Sequence, residues 1–201
     1  MELYLIRHTT PAVEKGICYG QTDLDITESF EAEADAIRAV LQGVLPQHVV
    51  SSPLQRCSKL AQTLFPQYSI EWEKNIMEIN CGQWEMQRWN DIPKAEIDPW
   101  MNEFVHTIIP GGESYTQLYS RVTQCFETLT QQYSSLALVA HGGVLRSILS
   151  YITQTPLQDS FAAFKLHYGC VVKLSFLQQQ WQYQVLNNPE PVVVEVHKPT
   201  N

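Results

Sequence analysis

Residues 135–152 read SLALVAHGGVLRSILSYI, and their reading decides the fold. Leu136 to Ala140 is a short, unbroken apolar run, as expected of a strand buried on both faces. Gly142 and Gly143 interrupt it, and Val144 to Ile152 continues as a helix. His141 stands just past the strand's carboxyl end.

The same arrangement opens the chain. In residues 3–13, LYLIRHTTPAV, the apolar run to Ile6 reads as a strand over residues 2–6 that ends in Arg7 and His8. One of these is permanently charged and the other chargeable. Burying an unpaired charge is costly, so such a pair at the mouth of a core needs a partner. A substrate anion would serve.

Between these two strands the elements alternate. Residues 8–26 form a loop with turn residues Pro11, Gly16 and Gly20. From Thr27, read as the N-cap, apolar residues Phe30, Ala34, Ile37, Leu41 and Val44 recur at helical spacing. HVVSSPLQR gives a strand over 48–51, stopped before Pro53, and LQRCSKLAQTLF the next helix. A long helix spans Ser114 to Tyr133, with Tyr115, Leu118, Val122, Phe126 and Leu129 on its apolar face. CVVKLSFLQQQWQYQVL, residues 170–186, alternates like a hairpin, although its turn lacks Gly or Asn. Residues 189–201 read as an edge strand or a loose tail. Strands alternating with helices predict one α/β domain over residues 1–201. It is a three-layer sandwich, with a mostly parallel central sheet and helices on both faces.

Bulk properties narrow the function. The chain has 201 residues, 44% hydrophobic and 17% charged, and a formal charge of −8. That balance argues against a nucleic-acid footprint and against an anionic membrane surface. Any anion must be handled in a local cationic pocket, and only Arg7, Arg38, Arg56, Arg88, Arg121 and Arg146 are available to build it. The odd number of cysteines (18, 57, 81, 125 and 170) and the lack of a CxxC pair argue against a disulfide framework or a zinc ribbon. Reduced thiols in a cytoplasmic protein are expected. No signal peptide or membrane-spanning run is read.

Three strand ends carry groups compatible with phosphate. Ligands of open α/β sheets bind outside the carboxyl ends of strands, so His8 and His141 can face one pocket. Arg56 follows the third strand, in the first turn of its helix, where free N–H groups already favour an anion. Gly142 and Gly143 begin another such helix and let backbone approach a ligand closely.

Five motifs, LIRH, SSPLQR, MEINCGQWE, PGGES and LVAHGG, occur in that order. Together they resemble the histidine phosphatase superfamily, also called phosphoglycerate mutase-like. The resemblance implies that His8 is the nucleophile that becomes a phosphohistidine. It implies that Arg7, Arg56 and His141 grip the phosphoryl oxygens and that Glu78 is the proton donor. Guanidinium forks neutralise a phosphate dianion bidentately, so no metal and no cofactor are required. The histidine must attack as neutral imidazole, so its other ring nitrogen should donate to a fixed acceptor.

Thr9 and Thr10 replace the family's usual Gly-Glu after Arg-His. Val13-Glu14-Lys15 lies where many members carry a phosphate-binding Asn, and Met86 replaces a Gly. The Thr9 or Thr10 hydroxyl would then substitute for the missing amide. Thr9, Gly20, Gln21 and Gly142 are read as further substrate contacts. Trp72, Trp84, Trp89 and Trp100 lie between residues 72 and 100, and residues 83–112, on the stretch linking Glu78 to the PGGES helix, are read as a lid with an aromatic wall. The short chain, RHTT and YGQTDLD look like the α-ribazole phosphatase branch, which implies a substrate in cobalamin nucleotide-loop assembly. A phosphoglycerate mutase, or a broad sugar-phosphate or nucleotide phosphatase, is the alternative. The expected partner is a small phosphate monoester, with neither nucleic acid nor membrane; a homodimer stays open.

Overall fold

A computed structural model describes residues 1–190, 198 and 199. Most of the segment read as an edge strand or tail, 189–201, lies outside the described residues. The strands are β1 (Glu2–Arg7), β2 (His48–Ser51), β3 (Ile70–Trp72), β4 (Ser135–Ala140), β5 (Val171–Leu177) and β6 (Gln180–Asn187). The helices are α1 (Phe30–Val40), α2 (Gln55–Leu64), α3 (Lys94–Asn102), α4 (Tyr115–Gln132), α5 (Gly142–Thr153) and the single turn α6 (Ser160–Ala163). The sheet order is β3-β2-β4-β1-β5-β6. The first four strands in that order run parallel, and the β5–β6 hairpin adds antiparallel to the β1 edge.

Alternation along the strands makes the three layers. Leu3 and Leu5 of β1, with Leu136 and Leu138 of β4, pack against Leu118 and Phe126 of α4 and Leu145 and Ile148 of α5. Tyr4, Ile6, Ala137 and Val139 point the other way, onto Phe30 and Ile37 of α1 and Leu60 of α2. A third, smaller cluster joins Cys18, Cys81, Trp84, Trp89, Ile92, Ile97 and Ile109.

Helix ends follow local chemistry. Ser114 caps α4, in a capping box with Gln117. The cap of α1 is Ser29 rather than Thr27. The Thr27 carbonyl instead accepts from the Phe30 N–H at 3.1 Å, which forms a turn ahead of the helix. The hairpin forms without Gly or Asn because Gln178 and Gln179 take positive φ, 50° and 61°. That is the backbone a tight hairpin turn demands, imposed here on residues that disfavour it.

The exposed and buried ends of this sheet should respond differently to truncation. Leu138, fully buried in β4, becomes a cavity in Leu138→Ala, expected to cost about 3 kcal/mol and about 10 °C in Tm. Leu177→Ala, at the exposed end of β5, should cost under about 0.5 kcal/mol. Urea unfolding of the two variants checks this; equal losses would contradict the layering.

Candidate active site

The parallel register sets Arg7 opposite Ala140, so His8 and His141 leave adjacent strands side by side. The His8 N–H donates to the Ala140 carbonyl at 3.0 Å. The two imidazoles meet edge to face with centroids 5.2 Å apart. Residues far apart in sequence thus reach one place.

The pocket at these strand ends is lined by Arg7, His8, Glu78, Gly142 and Gly143. Tyr19, Ile79, Trp89, Trp100, Phe104, Tyr115, Arg146 and Phe161 contribute further wall. Arg56 and His141 do not line it; both are fully buried. The Arg56 guanidinium donates to the Thr22 carbonyl at 2.9 Å and the Gly20 carbonyl at 2.6 Å, while its buried Nε–H meets no acceptor among the described residues.

His8 Nδ1 lies 2.7 Å from the Thr9 carbonyl. A carbonyl only accepts, so Nδ1 carries a proton, and in the neutral ring the lone pair lies on Nε2. His141 Nε2 contacts the Ser52 hydroxyl at 2.8 Å, and the Cys57 sulfur lies 3.5 Å from the same nitrogen. Burial, then the charges of Arg56, His8 and Arg7, hold His141 well below the usual imidazole range. Burial pushes the Cys57 thiol up to about 12, which makes it inert.

The double glycine after His141 has a steric cause. A Cβ on Gly143 would stand 2.2 Å from a Glu78 carboxylate oxygen, and Gly143 N–H donates to Glu78 Oε2 at 3.0 Å. A Cβ on Gly142 would crowd Arg146 Nη1 at 3.1 Å and Arg7 Cζ at 3.2 Å. Arg121 secures Glu78 from behind by donating to its backbone carbonyl at 2.9 Å.

The remaining sequence candidates hold the scaffold. Thr9 is buried and lends its carbonyl to His8. Gly20 and Gln21 give their N–H groups to the Glu85 carboxylate, at 3.0 Å and 2.8 Å, and neither lines the pocket. Glu14 pairs with Arg88 on the surface, 2.6 Å apart, so this acid is turned outward. Within 83–112, Trp84 and Trp89 are core residues, while the faces of Trp89, Trp100 and Phe104 join the pocket wall. Trp72 is exposed on β3.

Sequence reading gave no role to Glu85, Arg146, Tyr19 or Tyr168. Glu85 also accepts from Thr22 N–H at 3.2 Å and Cys81 N–H at 3.1 Å. The loop whose amides grip Glu85 is the loop whose carbonyls grip Arg56. The Arg7 guanidinium lies 4.2 Å from the centre of the Tyr168 ring, and the Tyr168 hydroxyl bonds that of Tyr19 at 2.6 Å. Arg146 could have been found from its spacing, one helical turn after Gly142. Among the described residues, no three His, Cys, Asp or Glu side chains cluster closely enough to hold a metal.

Guanidinium and imidazole groups gather at the parallel strand ends: Arg7, His8 and Arg146 line the pocket, and Arg56 and His141 are buried. Comparison with known proteins supplies the family: residues 3–189 match the histidine phosphatase superfamily, branch 1, and the chain belongs to it. A metal-independent phosphoserine phosphatase of Arabidopsis thaliana is 29% identical over 192 residues, covering 90% of this chain and 78% of that protein. A protein of Erwinia tasmaniensis named "Probable phosphoglycerate mutase GpmB" is 28% identical, covering 90% and 87%. The crystal structure of the α-ribazole phosphatase from Shigella flexneri superposes with a TM-score of 0.85 at 26% identity, covering 98% and 100%.

Two outcomes are expected from this geometry. Glu85→Gln leaves buried amides short of acceptors, so stability should fall by about 1–3 kcal/mol. Because Arg56 leans on the same loop, inorganic phosphate should bind about 10-fold more weakly by calorimetry. The second concerns pH. An unfolded imidazole protonates near pH 6.5, whereas buried His141 resists protonation. The unfolded state therefore binds more protons, and stability is lost as pH falls below about 6.5, by up to about 1.4 kcal/mol per unit from this group. Urea unfolding at pH 7.5 and 5.5 should show a shallower loss in His141→Gln; parallel losses would refute the assignment.

Proposed function

We propose that this protein is a metal-independent phosphomonoesterase that works through a phosphohistidine on His8. The observation that carries the reading is the hydrogen bond from His8 Nδ1 to the Thr9 carbonyl. In the neutral ring it puts the proton on Nδ1 and makes Nε2 the attacking atom.

In this reading Arg7, Arg56 and His141 form the cup for the phosphoryl oxygens, with the Arg56 Nε–H still available. Cationic forks neutralise the charge that would repel the nucleophile and align the ester for in-line attack. His8 Nε2 bonds to phosphorus as the ester P–O bond breaks. Glu78, braced against the start of α5, protonates the leaving alkoxide. It then takes a proton from the water that cleaves the phosphohistidine, which releases phosphate and restores His8.

The motifs RHTT and YGQTDLD, and the likeness to the Shigella flexneri α-ribazole phosphatase, support α-ribazole 5′-phosphate as a candidate substrate. Trp89, Trp100 and Phe104 offer it ring faces. The relative named as a phosphoglycerate mutase supports transfer back to substrate as the second reading. Buried thiols at Cys18, Cys57, Cys81 and Cys125 support a reducing, cytoplasmic setting.

Rapid quenching with 32P-labelled monoester tests both. An acid-labile, base-stable phosphoenzyme is expected in the wild type and absent in His8→Ala, with turnover down at least about 10³-fold. Release of label as inorganic phosphate supports the hydrolase; isomerisation of 3-phosphoglycerate primed by a bisphosphate supports the mutase. A His8→Ala variant with near-normal turnover would falsify the mechanism.

A further inference from the structure

Residues 110–114, PGGES, put no side chain on the pocket wall. They lie against the loop that follows Glu78. The Pro110 carbonyl accepts from the Gln83 N–H at 2.8 Å, and the Glu113 N–H donates to the Asn80 carbonyl at 3.0 Å. The Asn80 N–H returns a bond to Glu113 Oε1 at 2.8 Å. The approach leaves no room for a side chain at residue 112, where a Cβ would stand 2.2 Å from the Asn80 carbonyl oxygen. Glu113 is thereby fixed beside the loop, with its side chain 15% exposed.

Arg121, two turns along α4, completes the arrangement. Its Nε and Nη2 fork onto the Glu113 carboxylate at 3.1 Å and 2.6 Å. Nη1 donates to the Asn75 and Met77 carbonyls, both at 2.8 Å, and Nη2 to the Glu78 carbonyl at 2.9 Å. A guanidinium has five N–H donors, and these five bonds commit them all. Arg121 does not line the pocket, and no donor is left for a substrate. What it holds is the path of residues 75–78.

Glu78 is therefore set from two sides. Its main chain is tied to α4 through Arg121, with a further bond from Gln21 Nε2 to the same carbonyl at 3.0 Å. Its carboxylate accepts from the Ile79 N–H at 2.9 Å and the Gly143 N–H at 3.0 Å. Without Arg121 the two amides still offer their bonds, but the chain that carries the carboxyl loses its anchors. A misplacement of about 1 Å at a reacting group, caused by a residue remote from substrate, costs about 10²-fold in rate.

We propose that Arg121, locked by Glu113, is a positioning residue for proton donation by Glu78. The inference rests on the phosphomonoesterase reading, in which Glu78 protonates the leaving oxygen. It adds what sets that donor in place, and gives the PGGES segment its part in the reaction.

Leaving groups of different acidity test it. Benzyl phosphate releases an alkoxide that needs a proton; 2,4-dinitrophenyl phosphate releases a phenolate that departs without one. kcat/KM reports the steps up to that departure. In Arg121→Met the loss with benzyl phosphate should exceed the loss with 2,4-dinitrophenyl phosphate by about 10- to 100-fold. Arg121→Lys, which keeps the charge without the fork, and Glu113→Gln should show the same split to a smaller degree. Glu78→Gln is the reference and should also lose more with benzyl phosphate. Adding Arg121→Met to Glu78→Gln should then cost less than about threefold more, since the two act as one unit. Thermal unfolding sets an assay temperature at which the variants are folded; should Arg121→Met not fold, Arg121→Lys and Glu113→Gln carry the comparison. Equal losses with both substrates, or a full further loss in the Glu78→Gln background, overturn the positioning role alone. Equal losses in Glu78→Gln itself overturn the proton-donor reading, and the positioning role with it.

Discussion

The pairing of β1 with β4 is the constraint on which the site depends. These strands are parallel neighbours, with Ile6 opposite Val139 and Arg7 opposite Ala140. Each then stops, and each delivers a histidine at the same height above the sheet. Because side chains alternate along a strand, a slip of one residue would turn Arg7 and both apolar faces the wrong way. The two flanking cores hold that register, since Leu3 and Leu5 pack on one side and Tyr4 and Ile6 on the other. The geometry of the imidazole pair is thus a consequence of burial far from it.

A second layer of order comes from opposed hydrogen bonding in one loop. Residues 20–22 turn their amides toward the Glu85 carboxylate and two of their carbonyls toward Arg56. The partly buried Glu85 carboxylate and the buried Arg56 guanidinium are both held by the backbone of this one loop. That arrangement meets the cost of burying charge while leaving Arg56 Nε–H uncommitted. It also fixes the guanidinium in one place, which lowers the ordering cost of any contact it makes.

Much of this was legible in the chain. The apolar runs at 3–6 and 136–140 declared buried strands, and the helical spacing from Phe30 and Tyr115 declared amphipathic helices. These signals are strong because burial on a sheet or along a helix face leaves a regular pattern. Arg7, His8, Glu78 and His141 were legible through the motifs that hold them, and they do converge. Strand β3, three residues long, and helix α3, which contains Pro99, are too short or too atypical to leave a pattern. Gly20 and Gln21 read as substrate contacts because their segment, CYGQTDLDIT, matches the family's loop leading to the first helix. What they contact is Glu85, and a residue that acts by accepting backbone amides has no sequence signature. The tryptophans of 83–112 divide between core and pocket wall, a distinction that only packing makes.

The bare start of α5 has a consequence beyond the chemistry. Glycine is a poor choice for opening a helix, since it costs backbone entropy there. Two in succession, each pressed by a charged group, mean that no methyl can be admitted at either site without moving a guanidinium or a carboxylate. Drift in this chain can recolour the aromatic wall. It has no such freedom at positions 142 and 143, where the empty volume is itself the inherited trait.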